Sequence, residues 1–448
     1  MQEASQDVLQ EAPQEVPNEV PQEVQPEAPH GAPQDAHWKR SLALVWAGEF
    51  FSVLSSSILQ MGLIWHVTLT TNSASALSLV SLAAFLPMAL LGAFAGTIVD
   101  RSSMKRMLIG SDLFIALVGV ALAFGSSAGS LPVWAVIAAC FVRALGSTLH
   151  QPAFNALTPL IAPPEALGRL AGVLQFMQSG SYILGNAVAA VIYPAFGLTF
   201  MIALDVVGAV LASIAVAVSG VQTPKPQPVA DVSGEAGKVI SNFLRETAEG
   251  YKELKRHRGL HAMLWIGFVF SVLFSPVSAL FPLMTLDHFG GTTTDAAAAE
   301  ITFSLGMIVM SAVIGATGGL KNRGFSGALA IALFGLATLA SGLIPAQAFP
   351  LFLVCTVVMG ISSPLYSSPQ MALMQERIAP ECLGRVFGLY GAVCSWAMPL
   401  GLTFSTLFAD TLGVTTCFIL SGALMTVLGV LTWMLPSVRH IDDVDPAE

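Results

Sequence analysis

Pro164-Glu165-Ala166-Leu167-Gly168-Arg169-Leu170-Ala171-Gly172 recurs 216 residues later as Pro380-Glu381-Cys382-Leu383-Gly384-Arg385-Val386-Phe387-Gly388. The shared pattern is Pro-Glu-x-Leu-Gly-Arg-x-x-Gly. At the same offset Ala156 and Leu157 meet Ala372 and Leu373, Gly185 meets Gly401, and Gly197 meets Gly413. Each copy lies between two apolar runs. Such a repeat implies two like-oriented halves related by a pseudo-two-fold axis along the membrane normal, an arrangement in which the halves rock about a midplane site.

Composition agrees with a membrane chain. Of 448 residues, 54% are hydrophobic and 10% charged, against about 25% charged in a soluble domain. Twelve apolar runs fall at 42–67, 77–99, 107–124, 132–150, 170–193 and 198–218, then at 260–286, 301–318, 327–343, 349–371, 386–408 and 414–435. The expected fold is an all-α polytopic membrane protein, with twelve transmembrane helices in two six-helix bundles. The expected divisions are an acidic tail (1–37), a first bundle (38–220), a linker (221–259), a second bundle (260–436) and a C-terminal tail (437–448). The linker begins Pro-rich and ends, from 238 to 258, as a basic amphipathic helix suited to the membrane surface.

Orientation follows from charge. With the N-terminus in the cytoplasm, Lys39, Arg40, Arg101, Lys105, Arg106, Arg169, the linker cations, Lys321, Arg323, Arg377, Arg385 and Arg439 all fall inside. Arg143 lies within a span, and the outer loops carry acids such as Asp287, Asp295 and Asp410. This is the positive-inside pattern, with both termini cytoplasmic.

The net charge of −9 comes almost entirely from residues 1–36, which hold eight acids and no Lys or Arg. The Gln-Glu-Val/Ala-Pro repeat places proline near every fourth residue, which forbids a stable helix and leaves almost nothing to bury. It reads as an extended segment, either a dispensable extension or a docking site for an accessory protein. It lacks the basic start and apolar run of a signal peptide.

Gly96-Thr-Ile-Val-Asp100-Arg101-Ser-Ser-Met-Lys105-Arg106 resembles the major facilitator superfamily signature Gly-x-x-x-Asp-Arg-x-Gly-Arg-Lys, with Ser103 and Met104 as departures. Arg143-Ala-Leu-Gly-Ser-Thr-Leu-His150-Gln-Pro-Ala-Phe154 and Gln375-Glu-Arg-Ile-Ala-Pro-Glu-Cys-Leu-Gly-Arg385 resemble the macrolide efflux branch of that superfamily. The resemblance runs from about Trp38 to Arg439. It implies proton-driven export of macrolide-like drugs, spans 1 and 4 lining the cavity, and spans 3 and 6 at the periphery. In span 5 the antiporter signature has Gly-Pro, whereas this chain has Gly185-Asn186. The resemblance also implies a latch of Asp100, Arg101, Lys105, Arg169 and Arg385 that shuts the inner side; the basic members also suit anchorage to lipid phosphate.

Ionisable groups inside spans are expensive and mark function by default. Glu49 lies roughly 10 Å from the inner end of its run. Arg143 lies near the middle of its own, and in a layer of about 30 Å the two depths differ by only about 4 Å. They are therefore expected to meet, as a coupling group that exchanges a proton for a cationic substrate or as a permanent ion pair. Asp205 is the next coupling candidate, though it suits a helix-packing acid better. Asp112 is expected to pair with Arg101 or Lys105, and Glu300 to sit solvated at an outer mouth.

Polar residues recur at helical spacing. Glu49, Ser52, Ser56 and Gln60 form one stripe, and Gln175, Gln178, Tyr182, Asn186 and Tyr193 another. Ser304, Met307 and Ser311 form a third, and Arg143, Ser147 and Phe154 a fourth. Small polar residues also serve helix contact in membranes. The large side chains of the second stripe suit a wet, partly aromatic cavity for a bulky amphipathic small molecule.

No Gly-x-x-x-x-Gly-Lys-Ser/Thr occurs, which excludes a P-loop ATPase. Gly125-Ser-Ser-Ala-Gly129 matches the hydrolase elbow by letter only, in a short loop without its strand–turn–helix setting. The histidines are scattered, and His66 and His150 read as lone helix-end residues. The five cysteines show no framework spacing. No enzyme activity, metal, cofactor or nucleic-acid partner is expected. The leading expectation is a secondary transporter in a bacterial cytoplasmic (inner) membrane that exports amphipathic drugs against protons. Export of a siderophore or other metabolite and nutrient import follow it. A transport-inactive receptor or scaffold using the tail is the alternative of another class.

Overall fold

The structure is a computed structural model that describes residues 38–100, 102–127, 131–163, 166–221, 245, 247–378 and 380–442. The acidic tail, most of the linker and the last six residues lie outside them. The first helices are α1 (Trp38–Thr71), α2 (Ala74–Asp100), α3 (Met104–Ser127) and α4 (Val133–Ile161). A continuous run, Leu167–Val218, follows. Its 52 residues would make a rod of about 78 Å, far longer than the ~30 Å hydrocarbon layer. The run is two helices, α5 (167–196) and α6 (198–218), and Gly197 between them has φ 74 and ψ 178. That left-handed backbone suits a residue without Cβ.

Contacts with α1 show the reversal. Along α5, Gly185 abuts Ser57 and Tyr193 packs edge-on against Trp65. Along α6, Met201 abuts Gly62 and Ala212 abuts Gly48. Position along α1 therefore rises and then falls. After the linker come α7 (Arg258–Leu283), α8 (Thr293–Thr317), α9 (Arg323–Leu343), α10 (Phe349–Arg377), α11 (Pro380–Leu412), α12 (Val414–Met434) and the short α13 (Pro436–Arg439). Among the described residues, eleven helices are long and apolar enough to cross a membrane when the α5–α6 run is counted once; divided at Gly197, they make twelve.

The repeat reappears in geometry. Gly413 starts α12 with φ 79, as Gly197 starts α6 with φ 74. Gly185 lets α5 approach α1, and its counterpart Gly401 lets α11 approach α7 at Val272 and Ser275. Within the second bundle, Gly335, Gly422 and Gly429 bring α9 and α12 into backbone contact, the close packing that small residues allow in lipid. Between bundles, α2 packs on α11 and α5 on α8, two contacts that exchange when the numbering moves by six helices. Large apolar side chains such as Leu117, Phe124 and Trp134 face outwards, as lipid contact requires.

Several helices outrun their apolar stretches. The run ending at His150 continues as helix through Gln151-Pro152 to Ile161. In a membrane the backbone must satisfy its own hydrogen bonds, so a polar residue does not end a helix.

The halves join at the end away from the termini. There Ser78 and Ser405 share a hydrogen bond of 2.6 Å, Asp410 accepts from Ser73 Oγ (2.8 Å) and Ser75 N (2.9 Å), and Asn72 donates to Asp287 (2.9 Å). An apolar cluster at that end mixes Ala74 and Leu77 of the first half with Leu280, Phe281 and Phe418 of the second. Towards the termini the clusters separate, one around Leu42, Leu108 and Phe154 and the other around Leu254, Leu264 and Leu373. The bundle is thus shut at one end and, among the described residues, unjoined by side-chain hydrogen bonds at the other.

Candidate transport site

Two buried charge clusters occupy the first half. In the first, Arg143 of α4 makes a forked ion pair with Asp205 of α6; Nη1 reaches Oδ2, and Nη2 donates to Oδ1 at 3.2 Å. Ser56 of α1 donates to the same Oδ1 at 2.7 Å. Asp205 is fully buried and Arg143 nearly so. Both carboxylate oxygens are therefore engaged, which is how an ion pair persists away from water.

In the second, His150 of α4 lies between two carboxylates. Its Nε2 is 3.3 Å from Asp112 Oδ1 of α3 and 3.6 Å from Glu49 Oε2 of α1. All three side chains are buried. The far oxygen of Asp112, Oδ2, has no hydrogen-bond partner among the described residues. The His150 ring stacks on Phe154, with centroids 6.3 Å apart and planes at 10°. Three helices thus share one imidazole and two carboxyls, a set able to hold a variable number of protons.

The expected Glu49–Arg143 meeting is corrected. Glu49 faces His150, and Arg143 faces Asp205. Depth counted from the ends of 30 Å spans misplaced them, because α1 has 34 residues and α4 has 29, or about 51 and 43 Å. His150 lies seven residues beyond Arg143, about 10 Å further along α4. The reading of His150 as a lone helix-end residue is likewise corrected, because α4 does not end there. Asp112 pairs with His150, while Lys105 donates to Ala217 O at 2.9 Å.

Of the proposed cavity residues, Ser52, Gln60, Gln178 and Met307 are half-buried and Tyr182 and Ser311 exposed. Asn186 is buried, and Glu300 of α8 is half-buried on a helix that packs against α5. Phe154 is a correction: it is 1% exposed, packed in the apolar cluster of the first half beneath His150. Its place on the Arg143 stripe reflects burial. Ser56 is committed to Asp205. The Gln175 side chain lies outside the described residues. So do the side chains of Asp100 and Arg169, and Arg101 altogether. Arg385 pairs at 3.2 Å with Glu249 of the linker, whose neighbour Gly250 lies tight on the Arg385 carbonyl. The linker's end therefore docks on the second bundle.

Twelve helices in two equivalent bundles, closed at one end and holding buried charge between helices, define a polytopic membrane transporter. The chain belongs to the Major Facilitator Superfamily, whose family model matches residues 45–395 and 301–448. Within it the chain falls in the branch of macrolide efflux protein A of Streptococcus pyogenes, to which it is 41% identical over 406 residues, covering 91% of this chain and 98% of that protein. It is 25% identical to the multidrug efflux pump Tap of Mycobacterium tuberculosis over 400 residues, covering 84% and 89% of the two chains. A crystal structure of a POT family transporter in complex with 5-aminolevulinic acid has the same fold, with a TM-score of 0.70, 15% identity, and coverage of 89% and 96%.

Proposed function

We propose that this protein is a drug exporter of a bacterial cytoplasmic membrane, expelling bulky amphipathic, macrolide-like molecules in exchange for protons by alternating access. The observation that carries export is the 41% identity to a macrolide efflux protein across almost the whole of both chains. Proton exchange is supported by the buried Glu49–His150–Asp112 cluster. Two carboxyls around one imidazole can gain or lose a proton without leaving an isolated charge in the bilayer, where such a charge is expensive. The Arg143–Asp205 pair serves better as a fixed brace, because Asp205 is engaged on both oxygens.

Both termini are placed in the cytoplasm, since the end bearing them carries the Lys and Arg loops. On that orientation the joined end, with its Ser78–Ser405 hydrogen bond, faces outwards. Asp100, Arg101, Lys105, Arg169 and Arg385 are proposed as the latch that shuts the inner side in the opposite state. In the present state Arg385 is held by the linker's Glu249. The test is a panel of drug susceptibilities in an efflux-deficient host with and without the protein. Raised resistance to macrolides and other amphipathic drugs supports export. Unchanged susceptibility to every drug, with the protein present in the membrane, overturns it.

A further inference from the structure

The second half contains a cavity unrelated to the charge clusters. It is a space of about 140 Å³ among α7, α8, α9 and α10. Phe270 and Phe274 stack at 6.1 Å and meet Phe334 edge-on at 5.4 and 5.5 Å. Phe303, Tyr366, Ala330 and Ile331 complete the aromatic and aliphatic wall. Three of the four hydroxyls in it are committed elsewhere: Tyr366 donates to Met263 O (3.2 Å), Ser362 to Val358 O (2.8 Å) and Ser367 to Ser363 O (3.1 Å), which leaves the half-buried Ser363 as the one polar group of the wall. Such a wall offers water few partners. Apolar cavities of about 150 Å³ stay dry and accept benzene, and this one matches that size.

The cavity has a direction. Its floor is α9, where Ala330, Ile331 and Phe334 are buried, and α9 packs within its own half on α10 and α12. Its less buried sides are Phe270 and Phe274 of α7, Phe303 of α8, and Ser363 and Tyr366 of α10, all half-buried, with Ser367 exposed. Both α8 and α7 also pack on the first half, α8 on α5 and α7 on α1 and α2. The mouth therefore lies on the side of the first half.

We infer that this cavity is a binding pocket for a benzene-sized apolar group of the exported molecule, an aryl ring or short branched alkyl arm, received by the second half while the ionisable groups stay in the first. The inference rests on the export reading, but the pocket can be tested without transport. The purified full-length protein in lipid nanodiscs is titrated with fluorobenzene and followed by ¹⁹F NMR, with empty nanodiscs subtracted. A saturable component is expected, and a macrolide should displace it. Ala330→Phe, which fills the cavity, should reduce it at least tenfold, while Leu117→Ala, at an outward-facing position of the first half, leaves it intact. Phe274→Ala keeps the test open if Ala330→Phe fails to fold; the enlarged cavity should bind 1-fluoronaphthalene at least tenfold more tightly than the unaltered protein does. Absence of any saturable component, as with a lipid chain filling the space, overturns the pocket. Saturable binding that macrolide does not displace overturns its role in substrate recognition. Saturable binding in a protein that confers no drug resistance sinks the export reading alone.

Discussion

Arg143 and Asp205 are joined by a forked ion pair between α4 and α6, with Ser56 of α1 as a third partner. Three helices of the first bundle are thereby fixed at one buried point. Removing one partner leaves an uncompensated charge in a low-dielectric setting, which typically costs about 3–5 kcal/mol. Asp205→Asn should lower the thermal unfolding temperature in detergent, and Arg143→Met combined with Asp205→Leu should recover much of the loss. A double variant no more stable than Asp205→Asn would exclude charge imbalance as the cause.

The Glu49–His150–Asp112 cluster makes a different prediction. Glu49→Gln keeps the shape and removes the exchangeable proton, so drug uptake driven by a pH gradient into everted vesicles should fall at least tenfold while drug binding stays within a few-fold of the unaltered protein. His150→Gln should do the same. Full gradient-driven uptake by Glu49→Gln would remove it from coupling and make Glu300 the next residue to vary.

The closed end can be tested by cross-linking. Ser78 and Ser405 hydroxyls are 2.6 Å apart across the halves, close enough for a cysteine pair to meet disulfide geometry. On a background lacking the five native cysteines, Ser78→Cys with Ser405→Cys should oxidise readily and stop transport, and reductant should restore it. Transport that continues with the cross-link intact would mean that this end need not open.

The composition of the acidic tail gives it almost nothing to bury, so deletion of residues 1–36 should leave folding and transport unchanged. Loss of monodisperse protein, or of transport at equal expression, would show that the tail docks on something.

The sequence carried the bundles well and the charge partners poorly. The Pro-Glu-x-Leu-Gly-Arg repeat and the positive-inside pattern identified two halves of six spans, and the Gly197–Gly413 equivalence reappears as matching positive-φ turns. Apolar runs mark where a helix meets lipid, not where it stops. His150 thus reads as a helix end, although α4 runs eleven residues beyond it. The available signal was its spacing: Arg143, Ser147 and His150 form one helical stripe. Which acid each cation meets depends on helix shift and tilt, which no single helix records. The aromatic pocket was illegible for a similar reason, since Phe270, Phe303, Phe334 and Tyr366 come from four helices and each looks like ordinary membrane-facing sequence.

Proton-driven drug movement by the purified protein tests the central claim most directly. Proteoliposomes holding this chain alone, with an acidic lumen imposed and no nucleotide present, should accumulate labelled macrolide, alkalinise inside as protons leave in exchange, and lose the accumulation when a protonophore collapses the gradient. Accumulation indifferent to the protonophore, or none at all in protein that binds the drug, would contradict proton-coupled export.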